Sequence, residues 1–179
     1  AGAPLQVVYW ADIDHTGHGR GVGSPEWLAA LEEFDRALGK FLSALPPGVT
    51  VVLTADHGMV NVENIIDVAK VPELEEDVPI IAGEGRAVHL HAEDGKADAV
   101  VRRWSNYLEG QADVIPAAEV GKLIGLGPGD RQVGAALVLA RGRTVILDSR
   151  SQKSSVFQMI GVHGSYTYDE MAIPVWRLA

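Results

Sequence analysis

The sequence predicts an α/β fold, and three observations carry that prediction. Two short apolar runs, Leu5–Trp10 (LQVVYW) and Val51–Leu53 within TVVLTADHGM, have the composition of strands buried on both faces. Between them, Ser24–Leu45 has the periodicity of one long amphipathic helix. Each apolar run stops at a cluster of Asp, His and Gly, where open α/β sheets hold their ligands.

Composition sets the outer limits. The chain has 179 residues, 47% of them hydrophobic, which is enough for one domain with a small subdomain and argues against disorder. Its formal charge of −9, without any Lys/Arg run, argues against a nucleic-acid-binding surface. An anionic substrate would then need local attraction, which bound cations supply. The absence of cysteine excludes disulfides and thiolate metal sites. No apolar run approaches the ~18 residues of a membrane span, and the first residues lack the pattern of a signal peptide. Because the chain enters a strand almost at once, a partial chain is expected, and the compartment is unknown.

Taken in order, Leu5–Trp10 is expected as a first buried strand leading into Ala11–Gly19. There Asp14 and His18 stand four apart, and Gly17, Gly19, Gly21 and Gly23 favour a loop that curls both side chains toward one point. A carboxylate and an imidazole so placed suit zinc or a similar divalent ion, although a glycine-rich turn with solvated side chains has the same composition. In the helix that follows, Ser24 is suited to the N-cap and Pro25 to the first turn. Trp27, Leu28, Leu31, Phe34, Leu38, Phe41, Leu42 and Leu45 line its apolar face, and Pro46-Pro47-Gly48 ends it. Strand, helix, strand implies a right-handed parallel crossover that brings the Asp14/His18 loop and Asp56-His57 to one sheet edge. Gly58 lets the backbone turn away from that edge without a Cβ.

From Asn61 to about Ser155 the texture changes. Val71–Pro79 reads as an acidic connector, Arg86–His91 as a strand, Ala97–Leu108 as a helix, Asp113–Ile115 as a short strand and Ala117–Ile124 as a short helix. Val133–Ala140 and Arg143–Leu147 flank Arg141-Gly142 as a hairpin. Together they suggest a small inserted α+β subdomain. His89 and His91 share one strand face, a pattern more common for an exposed or paired face than for a metal site.

Polar chemistry returns at Ile160–Ser165, where His163 lies between glycines, and Ala172–Leu178 is a terminal apolar segment able to pair beside the sheet. Asp14, His18, Asp56, His57 and His163 therefore provide two carboxylates and three imidazoles at glycine-marked positions. Such a set suits two metal ions about 4 Å apart, as in phosphoryl-transfer hydrolases.

DHTGHG at 14–19, TADHGM at 54–59 and VHGSYTYDEM at 162–171 resemble, in this order, the metal-binding motifs of the alkaline phosphatase superfamily, and most of all its type I phosphodiesterase/nucleotide pyrophosphatase branch. Cofactor-independent phosphoglycerate mutases look similar at the first two motifs. The HGS ending with Asp169-Glu170 and an apolar tail favours the phosphodiesterase branch. The resemblance implies a layered α/β/α sheet, present in part, with residues 1–65 and 156–179 forming the metal-binding core portion and 66–155 the insertion. It implies two divalent metal ions, zinc or alternatively manganese, with Asp14, His18 and His163 on one and Asp56 and His57 on the other.

The family's first-strand aspartate and its Thr or Ser nucleophile would precede everything seen here. Thr16 and Thr54 lie beside ligands, but the family pattern gives neither the nucleophile's role. The expected function is thus that of the C-terminal portion of a phosphodiesterase/nucleotide pyrophosphatase acting on a phosphodiester or nucleotide substrate, with no catalytic nucleophile in this chain and a missing N-terminal half as partner. A non-enzymatic metal-binding fragment, or a phosphomutase or sulfatase of the same superfamily, are the alternatives. Apolar strands with a single covering helix also suggest a homo-oligomer.

Overall fold

The computed structural model describes residues 5–125 and 133–178. Its architecture is mixed α/β, with four separate small sheets and the buried core concentrated between Ile66 and Ile146. Helices α1 (Asp12–Arg20) and α2 (Pro25–Ser43) come first, followed by strands β1 (Val52–Thr54), β2 (Val60–Asn61) and β3 (Asn64–Asp67). A short helix α3 (Pro72–Glu75) leads to β4 (Ile80–Glu84) and β5 (Ala87–His91). Helix α4 (Ala97–Tyr107), β6 (Ala112–Pro116), α5 (Ala117–Ile124), β7 (Ala136–Ala140) and β8 (Thr144–Leu147) complete the middle of the chain. The end contributes β9 (Gly161–Val162), α6 (Tyr168–Met171) and β10 (Val175–Arg177).

The largest sheet is antiparallel, in the order β4-β5-β7-β6. Its alternating side chains divide between two clusters, as strand periodicity requires. Val88, Leu90, Ala136 and Val138 meet Val100, Trp104 and Leu108 of the α4 segment. Leu137 and Leu139 point the other way, against Val120 of α5. The sheet therefore carries a helix on each face. Trp104 is fully buried, and its indole N–H is satisfied by the Leu74 carbonyl at 3.1 Å.

Several sequence expectations require correction. The 133–147 hairpin does not form: β7 joins the large sheet, whereas β8 pairs in parallel with β3. Ile146 N–H donates to Gly85 O at 2.8 Å, so β8 leaves β7 to brace the start of β5 instead. Val71–Pro79 is no mere connector, because Leu74 and Val78 are buried in the main core. Leu5–Trp10 pairs with nothing among the described residues and lies exposed, Val7 at 85%. The strand after the long helix is neither buried nor parallel; β1 pairs antiparallel with β10. An apolar run needs a neighbouring strand to become a buried one, and these two find at most a single partner here.

The long helix forms as expected, with Ser24 Oγ accepting from Trp27 N–H at 3.1 Å and Pro25 in the first turn. None of its residues is buried, although Trp10 meets Phe34 edge to face at 5.8 Å. No helix among the described residues is long and apolar enough to cross a membrane.

Candidate metal centre

Asp14 and His18 lie on a helix, not in the expected loop. The glycines that argued for a loop serve close approach instead. A Cβ on Gly17 would sit 2.5 Å from Met59 Sδ, and one on Gly161 would sit 2.4 Å from the Gly17 carbonyl oxygen. Helix α1 can therefore lie directly on β9. The four-residue interval then puts Asp14 and His18 one turn apart on one face, with Asp14 Oδ1 3.4 Å from His18 Nε2.

The other two clusters converge on the same oxygen. His57 Nε2 lies 4.0 Å and His163 Nε2 3.7 Å from Asp14 Oδ1. Asp56 Oδ1 stands 3.6 Å from His57 Nε2, so all five predicted residues share one neighbourhood. The crossover expected to bring them together is absent. Main-chain bonds do so instead: Ile160 N–H donates to His18 O at 2.9 Å, and Gly58 N–H to Glu170 O at 2.7 Å.

The donor types suit a divalent cation. His18 Nδ1 faces the Gly161 carbonyl and His57 Nδ1 the Gly58 carbonyl, both at 2.8 Å. Carbonyls only accept, so each Nδ1 donates, and each ring turns its Nε2 toward Asp14. Asp14 Oδ1 is itself buried without a hydrogen-bond partner. A carboxylate oxygen faced by three imidazole nitrogens is a donor arrangement that a divalent cation turns into coordination. Asp14, His57 and His163 place ligand atoms within 4.8 Å of one another, the one such grouping among the described residues. The His57 and His163 rings stack at 3.5 Å and 14°. Burial and the neighbouring His57 ring hold the His163 imidazole below its ordinary pKa, against the pull of Asp14, which favours the neutral form a ligand requires.

His89 and His91 lie apart from this cluster on β5, where His89 Nδ1 approaches Val133 O at 3.3 Å. Thr16 sits within α1, and Thr54 is exposed on β1. Sequence reasoning missed the ion pair next to the site. Glu170 and Arg86, each 1% exposed, meet through Arg86 Nη2 and Glu170 Oε2 at 2.6 Å. The available signal was a glutamate seven residues after His163, which by itself reads as a solvated side chain.

Both the sequence and the fold match known proteins. The model of the type I phosphodiesterase / nucleotide pyrophosphatase family matches residues 3–165. The human ectonucleotide pyrophosphatase / phosphodiesterase 5 structure superposes with a TM-score of 0.77 at 20% identity, covering 95% of this chain and 46% of that one. Its murine counterpart gives 0.73 at 21% identity, covering 90% and 44%. Phosphonoacetate hydrolase from Sinorhizobium meliloti 1021, in complex with phosphonoacetate, gives 0.72 at 20% identity, covering 92% and 43%. At these identities the likeness concerns the fold, and the chain spans less than half the length of each. No curated protein matches. With a family match across nearly all of its length, the chain belongs to the type I phosphodiesterase / nucleotide pyrophosphatase family.

Proposed function

We propose that this chain is the metal-ligand portion of a phosphoester hydrolase that cleaves phosphodiester or pyrophosphate bonds with two divalent metal ions, zinc or manganese. Asp14, His18 and His163 hold one ion, Asp56 and His57 help hold the second, and the nucleophile lies outside these 179 residues. The observation that carries this reading is the buried, unpartnered Asp14 Oδ1, with three imidazole Nε2 atoms 3.4–4.0 Å away. When bound, such ions act as Lewis acids toward phosphoryl oxygens. The chain's own residues supply the rest. The Gly161 and Gly58 carbonyls fix the tautomers of His18 and His57, and Asp14 and Asp56 balance the added positive charge. Without that charge, two carboxylates would repel an anionic ester. A nucleotide substrate is supported by the murine relative, whose inactive form is in complex with AMP.

Residues 66–155 then form a subdomain inserted between the ligand-bearing segments, a reading supported by a buried core that lies almost wholly within them. Strand β3 straddles that boundary, so the two parts share a sheet edge.

Metal loading tests the proposal. Protein incubated with zinc and desalted should retain one ion firmly and a second less firmly, because two ligands leave a site open. Elemental analysis that finds no zinc, manganese or cobalt under any loading condition would remove the metal reading. The chain alone should hydrolyse a chromogenic phosphodiester near the background rate. Robust turnover abolished by Thr16→Ala or Thr54→Ala would instead place the nucleophile here.

A further inference from the structure

We infer that Glu170 is a positioning residue that fixes two ligand-bearing segments at once, with Arg86 as its anchor; the inference rests on the metal reading above. The carboxylate of Glu170 accepts from Arg86 Nε at 3.0 Å, Arg86 Nη2 at 2.6 Å, Ser165 N–H at 3.0 Å and the Thr167 hydroxyl. Its main-chain carbonyl accepts from Gly58 N–H at 2.7 Å. One residue therefore holds the amide immediately after His57 and the amide two residues after His163, whose rings stack on each other. The approach admits nothing larger than glycine at 58, where a Cβ would lie 2.0 Å from the Asp169 carbonyl oxygen.

Arg86 ties this clasp to the buried part of the molecule. Its Nη1 donates to Thr144 O on β8, and its own carbonyl accepts from Ala140 N–H at 2.9 Å at the end of β7. A cavity of about 270 Å³ beside His18 and His163 is lined in part by Arg86, which invites a role in binding substrate phosphate. All three guanidinium nitrogens are already engaged and the side chain is 1% exposed, so the arginine serves the glutamate and not a ligand.

A buried ion pair seldom outperforms a well-packed apolar pair in stability. What an apolar pair cannot supply is an acceptor for Ser165 N–H, and hence a fixed main chain at His163. Partners behind metal ligands typically govern affinity by about 10–100-fold. This separates a positioning role from a merely structural one.

The experiment titrates the 179-residue chain with zinc against a chromophoric chelator, follows cobalt by its visible spectrum, and measures urea unfolding in parallel. The double variant Arg86→Met/Glu170→Leu should remain folded, at a midpoint lowered by the orphaned Ser165 N–H, yet bind zinc about 10–100-fold more weakly with an altered cobalt spectrum. Zinc affinity within about threefold of the parent in the folded double variant would overturn the inference. If that variant does not fold, Glu170→Asp decides. It keeps the charge but is one methylene too short to reach both Arg86 and Ser165, so a loss of about tenfold or more supports the inference and an unchanged affinity overturns it. A parent chain that binds neither zinc nor cobalt would fail the metal reading itself, a result separate from any difference among variants.

Discussion

The middle of the chain and its two ends are built on different terms. Between Ile66 and Ile146, a four-stranded sheet with a helix on each face buries twelve residues in one apolar cluster and four in another. In the ends, the longest helix among the described residues buries none of its side chains, and β1 and β10 pair with each other in the open. Yet every candidate ligand lies in the ends. Burial at this site is confined to a small patch around Gly17, Val60, Gly161 and Val162. A few polar ties link that patch to the buried middle: Arg86 to Glu170, Ser165 Oγ to Ala140 O at 2.7 Å, and Tyr166 to Asp113. Stability and chemistry can thus be perturbed separately, which the following predictions exploit.

The largest effect is expected in the middle. Trp104→Ala removes a fully buried indole and orphans the Leu74 carbonyl, and should cost about 3–5 kcal/mol in urea unfolding. A loss below about 1 kcal/mol would mean that the sheet and α4 do not form one cooperative core.

At the ends, the dominant stabiliser should be metal. Saturating zinc at about 100 times its dissociation constant should add about 2.7 kcal/mol of stability. Amide exchange should slow in α1 and around His57 and His163, and not in β5 or β7. His163→Ala should abolish most of that gain and His89→Ala almost none; equal effects would contradict the separation of the two regions.

The exposed apolar ends should also drive association. Leu5, Val7, Val8, Val52, Val175 and Trp176 are all exposed, some on an open strand edge. Sedimentation at low micromolar concentration is expected to show dimers or larger species that Val52→Lys weakens, whereas a stable monomer that binds no hydrophobic dye would show the ends to be self-sufficient.

Acid should weaken the tie between the regions. Burial alone would raise the Glu170 carboxyl, but the hydrogen bonds from Arg86, Thr167 and Ser165 outweigh it and hold its pKa below 4.5. A carboxyl depressed in the folded state contributes its full stability above the unfolded value, and loses it as pH falls through the folded one. The stability gap between the parent and Glu170→Gln should therefore be constant near neutrality and narrow below about pH 4.5. A gap independent of pH would show that the charge of Glu170 is irrelevant to the clasp. The smallest effect belongs to α2, where Leu31→Ser, on an exposed face, should change stability by no more than about 0.5 kcal/mol.

Much of this was legible in the residues. The five candidate ligands, the long helix with its Ser24 cap, and the strands and helices near 87–91, 97–107 and 112–124 follow from residue type and local spacing. Helix periodicity and a cap are properties of a few consecutive residues, so no distant contact is needed to read them. The loop expected at 14–18 shows where local reasoning stops. Gly17 resembles a helix breaker in isolation, and only Met59 and Gly161, far along the chain, show that it makes room for a close approach. Strand partners were equally out of reach, since an apolar run carries no address: β8 goes to β3 and β1 to β10 because of which edges are free in three dimensions. The sequence by itself determined the donor types, two carboxylates and three imidazoles at motif-bearing positions. Only the tertiary structure decided that the three imidazoles gather around one buried oxygen of Asp14 and that a glutamate and an arginine, 84 positions apart, pair beside them. Donor identity is encoded residue by residue, whereas convergence depends on contacts between residues that spacing along the chain does not relate.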